Sequence, residues 1–109
     1  MEIASDVWVR ALIRRVELAG AFATVARRGD ARAGAVLVRT FNPKRRRVHL
    51  YTQAIDAEGK AIWMQPLETP EPAAIESYVD RAARIDPDLW VVEIEDADGA
   101  RFLTEPVQS

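Results

Sequence analysis

The apolar positions near the start of the chain recur at helical spacing. Trp8, Val9, Leu12, Ile13, Val16 and Ala19 fall on one face, and Arg10, Arg14 and Glu17 on the other. Ser5 stands where an N-cap belongs, Asp6 lies in the first turn near the positive helix end, and Gly20 suits a left-handed C-cap. The pattern predicts an amphipathic helix over about residues 6–19. The period then changes to two. Phe22–Ala26 alternates, Ala35–Phe41 is apolar and β-branched, and Val48–Thr52 follows a loop containing Asn42 and Pro43. Ala61–Gln65 follows the turn composition of Asp56–Gly59. Four strands joined by short connections predict an antiparallel meander.

A second helix is signalled by Thr69-Pro70-Glu71-Pro72. Thr69 or Glu71 precedes it, and proline is tolerated in a first turn, where its missing N–H leaves no bond unmade. Ile75, Tyr78, Val79 and Ala82 form its apolar stripe, and Asp80 with Arg84 has the spacing of an ion pair along the helix. Pro87 stops the helix and pushes Asp86 out of the helical region. Beyond it, Trp90, Val92 and Ile94 share one face of a strand, with Glu93 and Glu95 on the other. Asp98-Gly99 predicts a hairpin that returns as a short edge strand, Arg101–Thr104. The element order is α-β-β-β-β-α-β-β. The predicted fold class is α+β, an antiparallel sheet of four to six strands with two helices packed on it, in one domain over residues 1–109.

Composition narrows the function classes. A chain of 109 residues with 49% hydrophobic and 29% charged residues is long enough for one core without staples. It contains no cysteine, which excludes a disulfide framework, a zinc–thiolate site and a thiol nucleophile, and fits a reducing cytosol. The first residues lack the basic and apolar regions of a secretory signal, and no apolar run has the ~20 residues of a membrane span. The expected location is cytoplasmic, with no membrane partner. The net charge of −2 conceals a division. Residues 1–54 hold 11 basic and 4 acidic side chains, and residues 55–109 hold 4 and 13. Such a division suits a basic binding face, or two halves that attract each other within one fold or across a dimer.

Three segments together resemble a known family. They are the opening D-V-W-V-R-A-L-I-R-R, the A-R-R-G-D…A-G-A-V-L-V-R stretch and the closing R-I-D-P-D-L-W-V-V-E-I-E-D-A-D-G. The chain resembles the bacterial family called domain of unknown function 1491, with the closing segment carrying the most specific part. The resemblance implies small, single-domain, cytoplasmic bacterial proteins with no established activity. It brings no catalytic or binding residues.

The candidate chemistry is thin. Arg28-Gly29-Asp30 has the form of an adhesion tripeptide, but that role needs a secreted, exposed loop. Gly29 and Gly34 lead into a strand and not into a helix, so they do not form a phosphate loop. A hairpin connection explains them better. Asp96, Asp98, Gly99 and Glu105 match much of a calcium loop, yet its first ligand position is Ile94. His49 is the only histidine, opposite in phase to Val48 and Leu50, and reads as a surface or half-buried structural residue. One histidine without cysteine cannot close a zinc site. No Gly-x-Ser-x-Gly elbow occurs, and Glu93 with Glu95 reads as a solvated face as readily as an acid–base pair. No catalytic, cofactor-binding or metal residue is therefore assigned, and no cofactor is expected.

The leading expectation is a non-enzymatic module that contacts a protein partner, or a second copy of itself, through a sheet edge or helix face. Trp63, out of phase with Ile62 and Met64, is its candidate exposed anchor. The second is nucleic-acid binding through Arg27, Arg28 and Arg32 together with Lys44, Arg45, Arg46 and Arg47, with His49 and Tyr51 placed to stack on bases. In a meander the two basic loops fall at opposite ends of the middle strand. The third is an enzyme whose cleft sequence does not reveal.

Overall fold

The computed structural model describes residues 3–68 and 70–108. Two helices and six strands follow in the order α1 (Ser5–Leu18), β1 (Phe22–Arg27), β2 (Val36–Asn42), β3 (Arg47–Ile55), β4 (Ala61–Met64), α2 (Pro72–Ile85), β5 (Trp90–Glu95) and β6 (Val107–Gln108). The fold class is α+β, as the patterning predicts. The sheet, however, is mixed. Its spatial order is β1-β5-β2-β3-β4-β6. Only β2, β3 and β4 form the expected meander. The fifth strand lies between β1 and β2, antiparallel to the first and parallel to the second. β6 pairs parallel with β4.

The cause is visible in the side chains of the two central strands. Val36, Leu37 and Val38 of β2 are consecutively buried, as are Trp90, Val91 and Val92 of β5. A strand covered on both faces needs apolar residues at every position, which is the mark of a parallel central pair. Alternate residues serve the two layers. Val36, Val38, Trp90, Val92 and Ile94 pack with Val9, Leu12 and Val16 of α1. Leu37, Leu50 and Val91 pack with Ile75 of α2, joined by Tyr78, Val79 and Ala82. The helices thus cover opposite faces of one sheet.

Helix ends follow local chemistry with two corrections. Ser5 lies inside α1 and caps nothing; the N-cap is Ala4. The Ser5 hydroxyl instead donates to the Gly34 carbonyl at 2.6 Å, and the Ser5 and Asp6 N–H groups donate to the Arg32 and Ala31 carbonyls. The loop before β2 therefore satisfies the unpaired start of α1. At the other end Gly20 takes φ +83°, with Ala21 N–H donating to Val16 and Gly20 N–H to Glu17 in a Schellman closure. In α2, Arg84 donates to the Asp80 carbonyl and not to its carboxylate, so the expected ion pair is replaced by a main-chain contact. Glu71 precedes that helix without a side-chain cap, while Thr69 lies outside the described residues.

The closing hairpin does not form. Gly99–Phe102 is a single 3₁₀ turn, and the chain returns as β6 at Val107. Both edges of β5 are already taken by β1 and β2, so no return strand can pair with it, and Phe102 and Leu103 are drawn into the α1 core instead. Among the described residues no helix is long and apolar enough to cross a membrane.

Candidate functional site

Two features stand out once the sheet is assembled, and both lie on the face that carries α1. The first is a groove of about 340 Å³ between α1 and the β3–β4 hairpin, lined by Trp8, Gln53, Ile55, Ala61, Trp63 and Glu105. Its position follows from register. Gln53 lies opposite Trp63 and Ile55 opposite Ala61, so alternate hairpin residues face the same side as Trp8. The rings of Trp8 and Trp63 meet at 5.6 Å with a 37° tilt, within the range aromatic pairs favour. Trp63 is 1% exposed, so the expected exposed anchor is instead the buried floor of this groove, on the α1 side of the sheet. Ile55 stands beside it at 70% exposure, and Val7 flanks Trp8 at 45%.

Several polar groups of this groove are already engaged. The Trp63 indole N–H donates to Glu105 Oε1 at 2.9 Å, and the Thr104 hydroxyl donates to Glu105 Oε2. Gln53 Oε1 accepts from the Val36 N–H at 2.9 Å. What the groove offers a visitor is therefore mainly apolar contact, with the Gln53 Nε2 donor at its side.

The second feature is a smaller polar cavity of about 120 Å³ where α1 no longer covers the sheet, lined by Thr40, Asn42, Arg47, His49, Tyr51 and the segment Asp96–Ala100. His49 is half-buried and opposite in phase to Val48 and Leu50, as its strand position predicts. The His49 and Tyr51 rings lie 6.4 Å apart. Burial, with the Asp98 charge adding to it and the Thr40 hydroxyl partly offsetting it, lifts the Tyr51 phenol above its ordinary 10.0. Tyr51 is thus a hydrogen-bond donor at neutral pH. The Asp96 carboxylate is held below its ordinary 3.8 by the Arg101 guanidinium and the Asp98 N–H. Those bonds, and the use of Glu105 by Trp63, account for two carboxylates of the calcium-like spacing.

The basic residues separate into two groups. Arg27 ends β1 and Arg28 and Arg32 lie in the connection that leads into β2, while Lys44, Arg45, Arg46 and Arg47 lie beyond the end of β2. A seven-residue strand sets them roughly 24 Å apart. The first group is partly committed to the fold. Arg27 donates to the Pro87 carbonyl at 3.1 Å, and the Arg28 guanidinium lies 5.4 Å from the Trp90 ring centre. Arg32 contributes its main chain, donating to Asp30 Oδ2 and accepting from Ser5. Lys44, Arg45 and Arg46 are exposed on the β2–β3 turn. Asn42 Oδ1 accepts the Lys44 and Arg45 N–H groups, and Arg46 takes φ 54°. Arg47 is the one basic candidate that lines the polar cavity.

Sequence reading does not identify Trp8, Gln53, Ile55 or Thr40 as site residues, and it takes up Asp98 and Glu105 only within the calcium-like spacing. Trp8 meets Trp63 only because α1 crosses the hairpin, and no local spacing carries that. The Arg-x-His-x-Tyr alternation of β3 is legible in sequence as three polar residues on one strand face.

The chain matches the family model described as protein of unknown function DUF1491 over residues 3–104. Among curated proteins none matches it. It is similar to a DUF1491 family protein from Caulobacter crescentus CB15 known from a crystal structure, at 55% identity and a TM-score of 0.92, covering 98% of this chain and 100% of that one. An NMR structure of a DUF1491 family protein from the same organism gives 56% identity and 0.89, covering 100% and 99%. The solution structure of protein Atu0922 from A. tumefaciens gives 35% identity and 0.82, covering 100% and 98%.

Proposed function

Since the chain belongs to the DUF1491 family, whose function is unknown, we propose from its own geometry that it is a non-enzymatic protein-binding module of the cytoplasm that receives an apolar side chain of a protein partner in the Trp8–Trp63 groove. The carrying observation is the paired indoles in one groove with an exposed Ile55, where the Trp63 N–H, Glu105 and Gln53 Oε1 are already bonded within the fold. Aromatic side chains in a desolvated depression, rimmed by contacts that exclude water, are the usual anchors of protein recognition. The sheet edges are weaker candidates. β1 is irregular between Val25 and Arg27, and such a bulge discourages strand addition. β6 has two residues. The cysteine-free composition suits the reducing compartment the proposal names.

The test compares wild type with Ile55→Glu in co-purification from the native host, with sedimentation velocity on each purified protein. Ile55 is mostly exposed, so the variant retains the wild-type far-UV spectrum and melting temperature. Loss of the co-purifying protein, or of a concentration-dependent dimer, supports the groove. Undiminished recovery and an unchanged oligomeric state refute it.

A further inference from the structure

The polar cavity is a separate matter from the groove. Arg47, His49 and Tyr51 occupy positions i, i+2 and i+4 of β3, which puts them on one face about 7 Å apart. Their neighbours across β2 are Asn42, Thr40 and Val38. The Asp96–Ala100 segment closes over this row. It is tied down by the Asp96 N–H donating to the Phe41 carbonyl at 3.0 Å and by Asn42 Nδ2 donating to the Ala97 carbonyl at 3.2 Å. Gly99 lies so close to Thr40 that an added Cβ would come within 2.7 Å of its methyl group. The cavity is therefore shaped by two anchored walls.

Sorting its polar groups by whether they are already used leaves a short set. Asn42 is fully engaged, with Oδ1 accepting two N–H groups of the turn and Nδ2 donating to Ala97. Asp96 is paired with Arg101. Among the described residues, Arg47 forms no ion pair, the Asp98 carboxylate accepts no hydrogen bond, and His49 makes none. His49 Nδ1 is sealed from solvent without a partner. The remaining lining is one cation, one anion and between them the imidazole and the Tyr51 hydroxyl, with the Thr40 hydroxyl bonded to the latter.

We propose that this cavity binds a small zwitterion, an α-amino acid with a short side chain, its carboxylate on Arg47 and its ammonium group on Asp98. A simple anion would satisfy Arg47 but leave Asp98 facing it, and a simple cation would leave Arg47 opposed in the same way. A molecule carrying both charges meets both. Arg is well suited to hold a carboxylate through two parallel bonds. The Tyr51 hydroxyl, itself accepting from Thr40, supplies a further donor, since the phenol keeps its proton. Size sets the side chain. At about 120 Å³ the cavity lies well below the roughly 300 Å³ at which pockets for drug-sized ligands begin.

The experiment is a ¹⁵N-resolved NMR titration of the intact protein with glycine and L-alanine, with acetate and methylammonium as single-charge probes. Saturable shifts are expected at the amides of His49, Tyr51, Asp98 and Gly99. Acetate and methylammonium should each bind about tenfold more weakly or worse, as should glycine to Arg47→Gln and to Asp98→Asn. Both variants change exposed side chains, and their spectra away from the cavity report that the fold is kept. No saturable shift with either amino acid overturns the proposal. So does acetate binding as tightly as glycine, or undiminished binding by both variants. The groove variant Ile55→Glu should titrate like wild type, which keeps this site distinguishable from the protein-binding reading.

Discussion

Gly29 and Gly34 lie in the connection between β1 and β2. Turn conformation suggests itself, but the glycines with positive φ are Gly20 and Gly59. Gly29 and Gly34 are small because both press on the Asp88 carbonyl and the Trp90 ring, where a Cβ has no room. Between them the Asp30 carbonyl accepts the Trp90 indole N–H at 2.7 Å. Gly34→Ala is expected to destabilise the fold by about 1–3 kcal/mol through overpacking, measured by urea unfolding. An unchanged midpoint would refute the close approach. Tyr51 carries a pH signature. Its phenol ionises later in the fold than in the unfolded chain, so its contribution to stability is intact below pH 10 and is lost as pH rises from 10 through the folded value. Asp98→Asn removes the anion and is expected to lower the folded tyrosinate midpoint, read by ultraviolet absorbance, and to soften that alkaline loss.

Strand β5 and the short closing strand are the elements that local pattern misplaces. The continuous burial of β2 and β5 marks both as central, and that much is legible as unbroken Val, Leu and Trp runs. Which strand lies beside which is decided by the helices. A strand that follows α2 can reach the gap between β1 and β2, and there it finds Arg39 for its Glu93, with a 2.8 Å ion pair across the parallel boundary. A double-mutant cycle on Arg39 and Glu93 is expected to return a coupling of about 0.5–1 kcal/mol, since both groups retain solvent. The end of the chain carries more. Glu105 holds the Trp63 indole, and the Pro106 carbonyl accepts the Trp63 main-chain N–H at 2.8 Å. Ending the chain at Thr104 is expected to cost about 1–3 kcal/mol by leaving those buried donors unpaired. The tryptophan emission should shift to the red, and an unshifted spectrum would show that β6 is dispensable to the groove.

The charge division of the whole molecule resolves into interleaving. The strongly acidic second half inserts β5 between two strands of the basic half, so the halves are not separate surfaces. The two arginine-rich loops project from opposite ends of β2. A continuous phosphate-binding track would require them on one side. The expected behaviour on heparin is weak retention lost at modest salt. Strong retention abolished by Arg45→Ala and Arg46→Ala would restore nucleic-acid binding through the β2–β3 turn alone.

Periodicity and punctuation are local, so the sequence by itself determined both long helices, the positions of β1 to β5, the α+β class and the phase of His49 on its strand. The family resemblance was legible in three segments, and the absence of cysteine removed thiol chemistry outright. Contacts between residues distant in the chain carry no local period. The parallel β2–β5 pair, the meeting of Trp8 with Trp63 and the closing of Asp98 over Tyr51 were therefore decided only by tertiary packing. There, burial on both faces of one sheet selects among pairings that look alike in sequence.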